Sequence, residues 1–146
     1  MSESYTDADC ELAKLTKGAS LCSEETLFTI NEQGGWTYRE ELLPNKFARL
    51  FSSILHCIDG QYCLITPAEK LRVTVVDAAL IIVDYEQSEY SFLLDSTLDT
   101  QHKVENVKAF ELNDEGIYLQ LERGLKAKLG RACYYRFINE FMIFEN

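Results

Sequence analysis

Apolar positions recur along this chain with two different periods, and the change of period marks out its elements. Leu27-Phe28-Thr29-Ile30 reads as a strand, Asn31 to Gly35 as a turn, and Trp36 to Arg39 as a second strand. Next, Phe47, Leu50, Phe51, Ile54, Leu55 and Ile58 fall at helical spacing and make one apolar stripe. Lys46, Arg49, Ser52, Ser53 and His56 fill the opposite face. Asn45 is the expected N-cap of this helix, and Asp59-Gly60 its expected stop.

From Gln61 the period changes to two. Leu71, Val73 and Val75 alternate with Arg72 and Thr74, and "ALIIVDY", "YSFLL", "VKAFEL", "IYLQL" and "LKAKL" follow as further strands. Short turns such as "EQSE" and "NDEG" separate several of these strands. An aromatic helix is predicted from about Arg131, with Tyr134, Phe137, Ile138 and Phe141 on one stripe. The pattern predicts an α+β fold in which the C-terminal half is an antiparallel sheet closed by a terminal helix. Residues 1–22 read as a polar arm, 23–60 as an N-terminal half and 61–146 as a C-terminal half. The joint "ITPAEK" at 65–70 reads as the junction between halves, because Pro67 ends strand pairing and redirects the chain.

The chain also resembles itself. At an offset of 82 residues Phe28 meets Phe110, Asn31 meets Asn113, Gly34 meets Gly116 and Glu40 meets Glu122. Leu43 meets Leu125, Lys46 meets Lys128 and Arg49 meets Arg131 in the same register. Duplicated strand-turn-strand-helix units are therefore expected, with a ligand at their junction.

Charge narrows the function classes. A net charge of −10 over 146 residues argues against a nucleic-acid polymer or an anionic membrane as partner. The acidic N-terminus does not read as a signal peptide, and the longest apolar run is too short to span a bilayer, so a cytoplasmic location is expected. Five cysteines without a C-x-x-C pair predict reduced thiols and no zinc site. No phosphate-binding glycine loop, H-E-x-x-H or G-x-S-x-G occurs, so no catalytic residue, metal ligand or cofactor is assigned. His56 and His102 read as isolated surface or helix-face residues.

Three stretches carry a family resemblance: "GGWTY" with "ARLFSSIL", then "DGQYCLITPAEKLRVTVVDA", then "RGLKAKLGRACYYR". In this order they resemble the bacterial family called domain of unknown function 1285. The resemblance implies a duplicated α+β core whose C-terminal half is pleckstrin-homology-like. It also implies a nucleotide-like ligand between the halves and a role in signal transduction. The family's Pro-Ile-x-Arg after the W-x-Y strand is replaced here by "EELLPNK", which leaves Lys46 or Arg49 to take over that arginine's part.

The residues themselves offer one basic region. Arg123 to Asn139 holds five basic residues and no acid, and Lys126 and Lys128 share one face of a strand. Gly130 then opens a helix whose free amides favour an anion, with Arg131 in the first turn. Arg49, Lys70, Arg72 and Arg131 are the candidate charges for a ligand. Trp36, Tyr38 and Tyr134 are the candidate stacking rings, and Thr66 and Glu69 the candidate polar contacts. The expected function is a cytoplasmic sensing module, more readily a binder than an enzyme, with a small anionic nucleotide-like ligand. The alternative is a protein-interaction module without a small ligand, and the third reading is an enzyme of unassigned reaction.

Overall fold

The computed structural model describes residues 27–67 and 70–141. The chain divides into two compact units between Asp77 and Ala78. The N-terminal arm and Glu69 lie outside the described residues.

In the first unit, β1 (Phe28–Ile30) and β2 (Trp36–Tyr38) form the predicted hairpin, with Ile30 opposite Trp36. Its turn is built by one side chain. Asn31 Oδ1 accepts from the amides of Gln33 at 2.9 Å and Gly35 at 2.8 Å, and Gly34 takes the left-handed φ of 83° that a side chain would resist. A short β3 (Glu41–Leu42) completes a meander. The helix α1 (Asn45–Ser52) follows, then β4 (Leu55–Ile58), β5 (Gln61–Ile65) and β6 (Lys70–Val75).

The predicted helix is therefore cut short. Ser52 and Ser53 turn their hydroxyls back onto the carbonyls of Arg49 and Leu50, at 2.7 and 2.6 Å, and take up acceptors of the last turn. Leu55 and Leu64 then face each other across β4 and β5. Leu55 satisfies both periods, so only the partner strand decides between them. The N-cap also moves by one residue. Pro44 holds that position, its carbonyl accepts from Phe47 and Ala48, and no side chain caps the helix.

The two ends of "ITPAEK" lie within one unit and not at a junction between halves. The stretch joins β5 to β6, which pair antiparallel with Leu64 opposite Leu71 and Ile65 opposite Lys70. The boundary near residue 60 moves accordingly to Asp77/Ala78, and 61–77 belong to the first unit.

The first sheet has the order β3-β2-β1-β6-β5-β4, and β1 and β6 pair parallel, with Phe28 opposite Val73. Its core gathers Phe28, Ile30, Trp36, Phe51, Leu55 and Leu64, all 1% exposed or less. The Phe28 ring centre lies 6.5 Å from that of Trp36 and 5.8 Å from that of Phe51.

The second unit holds β7 (Leu80–Gln87), β8 (Phe92–Ser96), β9 (Gln101–Val104), a 3-10 turn at Val107–Ala109, β10 (Glu111–Asn113) and β11 (Gly116–Gln120). A second 3-10 turn (Glu122–Gly124), β12 (Lys126–Leu129) and the helix α2 (Arg131–Phe141) complete it. Its sheet order is β10-β11-β12-β7-β8-β9, and β12 pairs parallel with β7. The C-terminal sheet is thus mixed, not antiparallel throughout. Cys133 and Phe137, one turn apart, are the buried residues of α2, so the stripe sits one residue away from the predicted Tyr134.

Both units follow one plan: a three-stranded meander, a helical link, a second meander, with first and last strands paired parallel. The duplication is real at this level, but the 82-residue register does not describe it. That register matches β1, the centre of one sheet, with β10, the edge of the other. It also sets Lys46 in α1 against Lys128 in β12. What the offset detected is two hairpins with the same turn chemistry, since Asn113 Oδ1 accepts from Glu115 much as Asn31 does from Gln33.

Candidate functional site

Of the basic segment predicted from sequence, two lysines share one face of β12. Alternation along β12 buries Ala127 and Leu129 and turns Lys126 and Lys128 to the other face, where both are half-buried. Tyr118 stands opposite Lys128 in register on β11. Its ring collects both ammonium groups, at 4.5 Å for Lys126 and 5.4 Å for Lys128. Gly116 makes room for this arrangement: a Cβ there would lie 3.0 Å from Lys128 Cε, and its φ of 144° suits glycine.

Gly130 has a different role from the one predicted. Its amide donates to the Ile82 carbonyl at 2.8 Å, and a Cβ would meet Ile81 and the Ile82 carbonyl at 3.3 Å. It is a close-packing glycine whose amide is already bonded. Arg131 is exposed in the first turn of α2, its guanidinium 6.0 Å from the Tyr135 ring. Tyr135 in turn meets Tyr134 edge-on at 5.3 Å. Arg131 and Tyr134 therefore come together around Tyr135, a residue the sequence reading passed over.

The remaining candidates belong to the first unit. Trp36 is 1% exposed, and Phe28 and Phe51 pack against its ring, so it is a core residue and not a stacking platform. Its Nε1 is the buried side-chain polar atom that lacks a hydrogen-bond partner among the described residues. Tyr38 is half-buried, with its ring 4.9 Å from Phe28 and its hydroxyl accepting from Arg39 Nε at 3.1 Å. Lys70 and Arg72 are exposed on one face of β6, opposite the buried Leu71 and Val73. Arg49 is exposed in the last turn of α1, and Thr66 is half-buried in the β5–β6 turn.

Two polar networks of the second unit gave no sequence signal. In the first, Arg136 donates to Asp84, to the Tyr85 carbonyl and to Glu140, and its guanidinium lies 4.2 Å from the Tyr85 ring centre. The Tyr85 hydroxyl donates to Glu140 at 2.5 Å. That hydrogen bond, with help from Arg136, holds the Glu140 carboxyl below the usual range. Burial, then Glu140, pushes the Tyr85 hydroxyl well above its ordinary value. Burial, then Asp84, pushes the Cys133 thiol up to about 11, which keeps it an unreactive thiol at neutral pH.

Glu140 is depressed in the folded state, so its contribution is present above the ordinary carboxylate range and lost as pH falls through the depressed value. Tyr85 is raised, so stability falls once the unfolded chain's tyrosine ionises, above about pH 10. Melting temperature should therefore decline on both sides of a neutral plateau. Glu140→Gln should flatten the acid limb; an unchanged acid limb would remove Glu140 from the explanation.

In the second network His102 is not the isolated surface residue expected but 7% exposed. Its Nδ1 lies 2.7 Å from Glu122 Oε2 and its Nε2 lies 2.8 Å from Thr100 Oγ1. Thr100 Oγ1 lies 2.6 Å from Ser96 Oγ. Beyond these networks, an apolar hollow of 120 Å³ is lined by Val107, Phe110, Leu112, Ile117, Phe137 and Phe141. Among the described residues no cluster of His, Cys, Asp and Glu could hold a metal ion, and no helix is long and apolar enough to cross a membrane.

Comparison with known proteins agrees with the family resemblance. Residues 20–78 match the model described as domain of unknown function (DUF1285), N-terminal domain. A crystal structure of a DUF1285 family protein from Shewanella baltica OS155 is 54% identical. The match covers 82% of this chain and 95% of that one, with a TM-score of 0.77. A DUF1285 family protein from Silicibacter pomeroyi DSS-3 shares the fold at 24% identity and a TM-score of 0.68, over 79% of this chain and 69% of that one. No curated protein matches. At 54% identity over 82% of its own length and 95% of that family member's, the chain belongs to the domain of unknown function 1285 family.

Proposed function

We propose that this chain is a sensing module that binds a small anionic, nucleotide-like ligand, and that the basic face of its second unit supplies the anion subsite. The observation that carries this reading is the convergence of two ammonium groups on the Tyr118 ring, on one face of β12. Arg131 adds a third cation in the next element, beside the aromatic pair Tyr134 and Tyr135. In a chain of net charge −10, this acid-free stretch is an exception to the general composition.

Melting the full chain with nucleoside mono-, di- and triphosphates tests the reading. A nucleotide at 100 times its dissociation constant stabilises by about 2.7 kcal/mol. Lys128→Gln and Arg131→Gln should each shrink that shift without lowering the melting temperature of the free chain appreciably. If no nucleotide moves the melting temperature, the ligand reading fails. If one does and both variants respond like the parent, the ligand binds elsewhere.

A further inference from the structure

The hydrogen bonds around His102 have a direction that can be worked out. Ser96 Oγ accepts from the amides of Leu98 at 3.1 Å and Thr100 at 3.3 Å, which occupies both of its lone pairs. Its proton therefore points to Thr100 Oγ1, and when the imidazole is neutral the Thr100 proton points to His102 Nε2. His102 must then carry its own proton on Nδ1 and donate it to the Glu122 carboxylate. In this network the neutral form of the imidazole is the Nδ1–H tautomer. A hydroxyl, an imidazole ready to take its proton, and a carboxylate that orients the imidazole are the parts of an activated nucleophile.

The backbone at both ends of this chain of bonds is unusual. Asp99, next to Thr100, has φ 63°, and Arg123, next to Glu122, has φ 59°. Left-handed non-glycine residues cost energy and gather at sites where a side chain must be aimed. The Asp99 amide bonds to the Ser96 carbonyl at 3.1 Å and the Ser96 amide to the Thr100 carbonyl at 3.0 Å, which closes the loop that carries Thr100. Ser96 is 2% exposed, whereas Thr100 is half-buried.

We propose that Thr100 is a nucleophile that accepts a short acyl group from an activated ester, with His102 as its general base and Glu122 as the positioning residue. Thr100 Oγ1 bonds to the carbonyl carbon while its proton passes to His102 Nε2. The bond from that carbon to the leaving oxygen breaks, and His102 returns the proton to the departing alcohol. Water then attacks the acyl-threonine, His102 takes the water's proton and gives it back to Oγ1, and the carboxylic acid leaves. The sum is ester plus water giving acid plus alcohol. This site uses none of the residues of the basic face, so it stands or falls apart from that reading.

The full chain treated with an alkyl fluorophosphonate tests the proposal, because phosphorus bonds to an activated hydroxyl as fluoride leaves. Peptide mass spectrometry should place the adduct on Thr100. Thr100→Ser should keep it, while Thr100→Val and His102→Gln should lose it by about a hundred-fold or more in rate. Glu122→Gln should slow labelling and Glu122→Asp should restore part of it, a rescue that a purely packing role would not produce. The same variants should rank alike in the release of nitrophenol from 4-nitrophenyl acetate. The proposal is overturned if the folded parent carries no adduct on Thr100, or if labelling persists in His102→Gln. Should His102→Gln fail to fold, equal labelling of Glu122→Gln and the parent overturns it instead.

Discussion

Phe137→Ala is expected to destabilise the second unit by about 3–5 kcal/mol, the range for removing a buried aromatic ring. Phe137 is 3% exposed on the face of α2 that packs on β7. Its ring stacks on Phe110 at 4.5 Å, meets Phe141 at 4.8 Å and meets Tyr85 edge-on at 6.0 Å. Truncation removes its share of all three contacts at once. The ring also lines the 120 Å³ hollow beside Val107 and Leu112, so the space left behind joins an existing depression. Solvent can reach that space, which places the expected cost toward the lower end of the range. A whole domain is worth only about 5–15 kcal/mol, so even this cost is a large share. Urea unfolding should show a lower midpoint with an unchanged slope. Phe137→Leu, which keeps most of the volume, should cost much less. A midpoint within error of the parent would mean that α2 does not contribute to the cooperative core.

Phe28→Ala should cost as much in the first unit, and toward the upper end. Phe28 is fully buried at the centre of its sheet, on the strand that pairs with β2 on one side and β6 on the other. Trp36, Tyr38 and Phe51 surround its ring at 6.5, 4.9 and 5.8 Å. A large-to-small change enclosed in this way leaves a cavity that neighbouring rings cannot fill without leaving their rotamers. Trp36 is the single tryptophan of the chain and belongs to the same cluster, so its fluorescence reports on this unit directly. The emission should shift to the red at a lower urea concentration than in the parent. If fluorescence is unchanged while far-ultraviolet dichroism shows unfolding, the cluster is not where the first unit's stability resides.

Much of the fold was legible in the chain. The β1–β2 hairpin could be read because its cause is local: Asn31 and Gly34 supply the side-chain acceptor and the left-handed φ that the turn needs. The faces of β6 and β12 could be read because alternation is a property of a single strand. The start of α1 was correct to one residue, and its end was not. Residues 55–58 match helix and strand patterns alike, and pairing with β5 settles the matter.

The candidate site divides in the same way. Lys126, Lys128 and Arg131 stood out because they are close in sequence and no acid lies among them. Tyr118, which collects the two lysines, did not, since its link to them is a cross-strand register. Trp36 read more readily as core than as platform, and its burial bears the core reading out. The Thr100–His102–Glu122 chain was invisible for a related reason. His102 and Glu122 are 20 positions apart, and neither sits in a motif of fixed spacing.

By itself, the sequence determined the buried faces of β6 and β12, the turn between β1 and β2, the acidic balance with one basic stretch, and the family. Each of these depends on neighbours along the chain, through side-chain periodicity, turn chemistry or composition. Tertiary structure alone decided that each sheet closes by a parallel pair, β1 with β6 and β7 with β12. It also decided that the repeat is meander, link and meander, and that a histidine with no signature holds a hydroxyl on one side and a carboxylate on the other. These facts depend on which strand finds which partner across dozens of residues. That choice is made by the summed burial of two sheet faces, which no local pattern records.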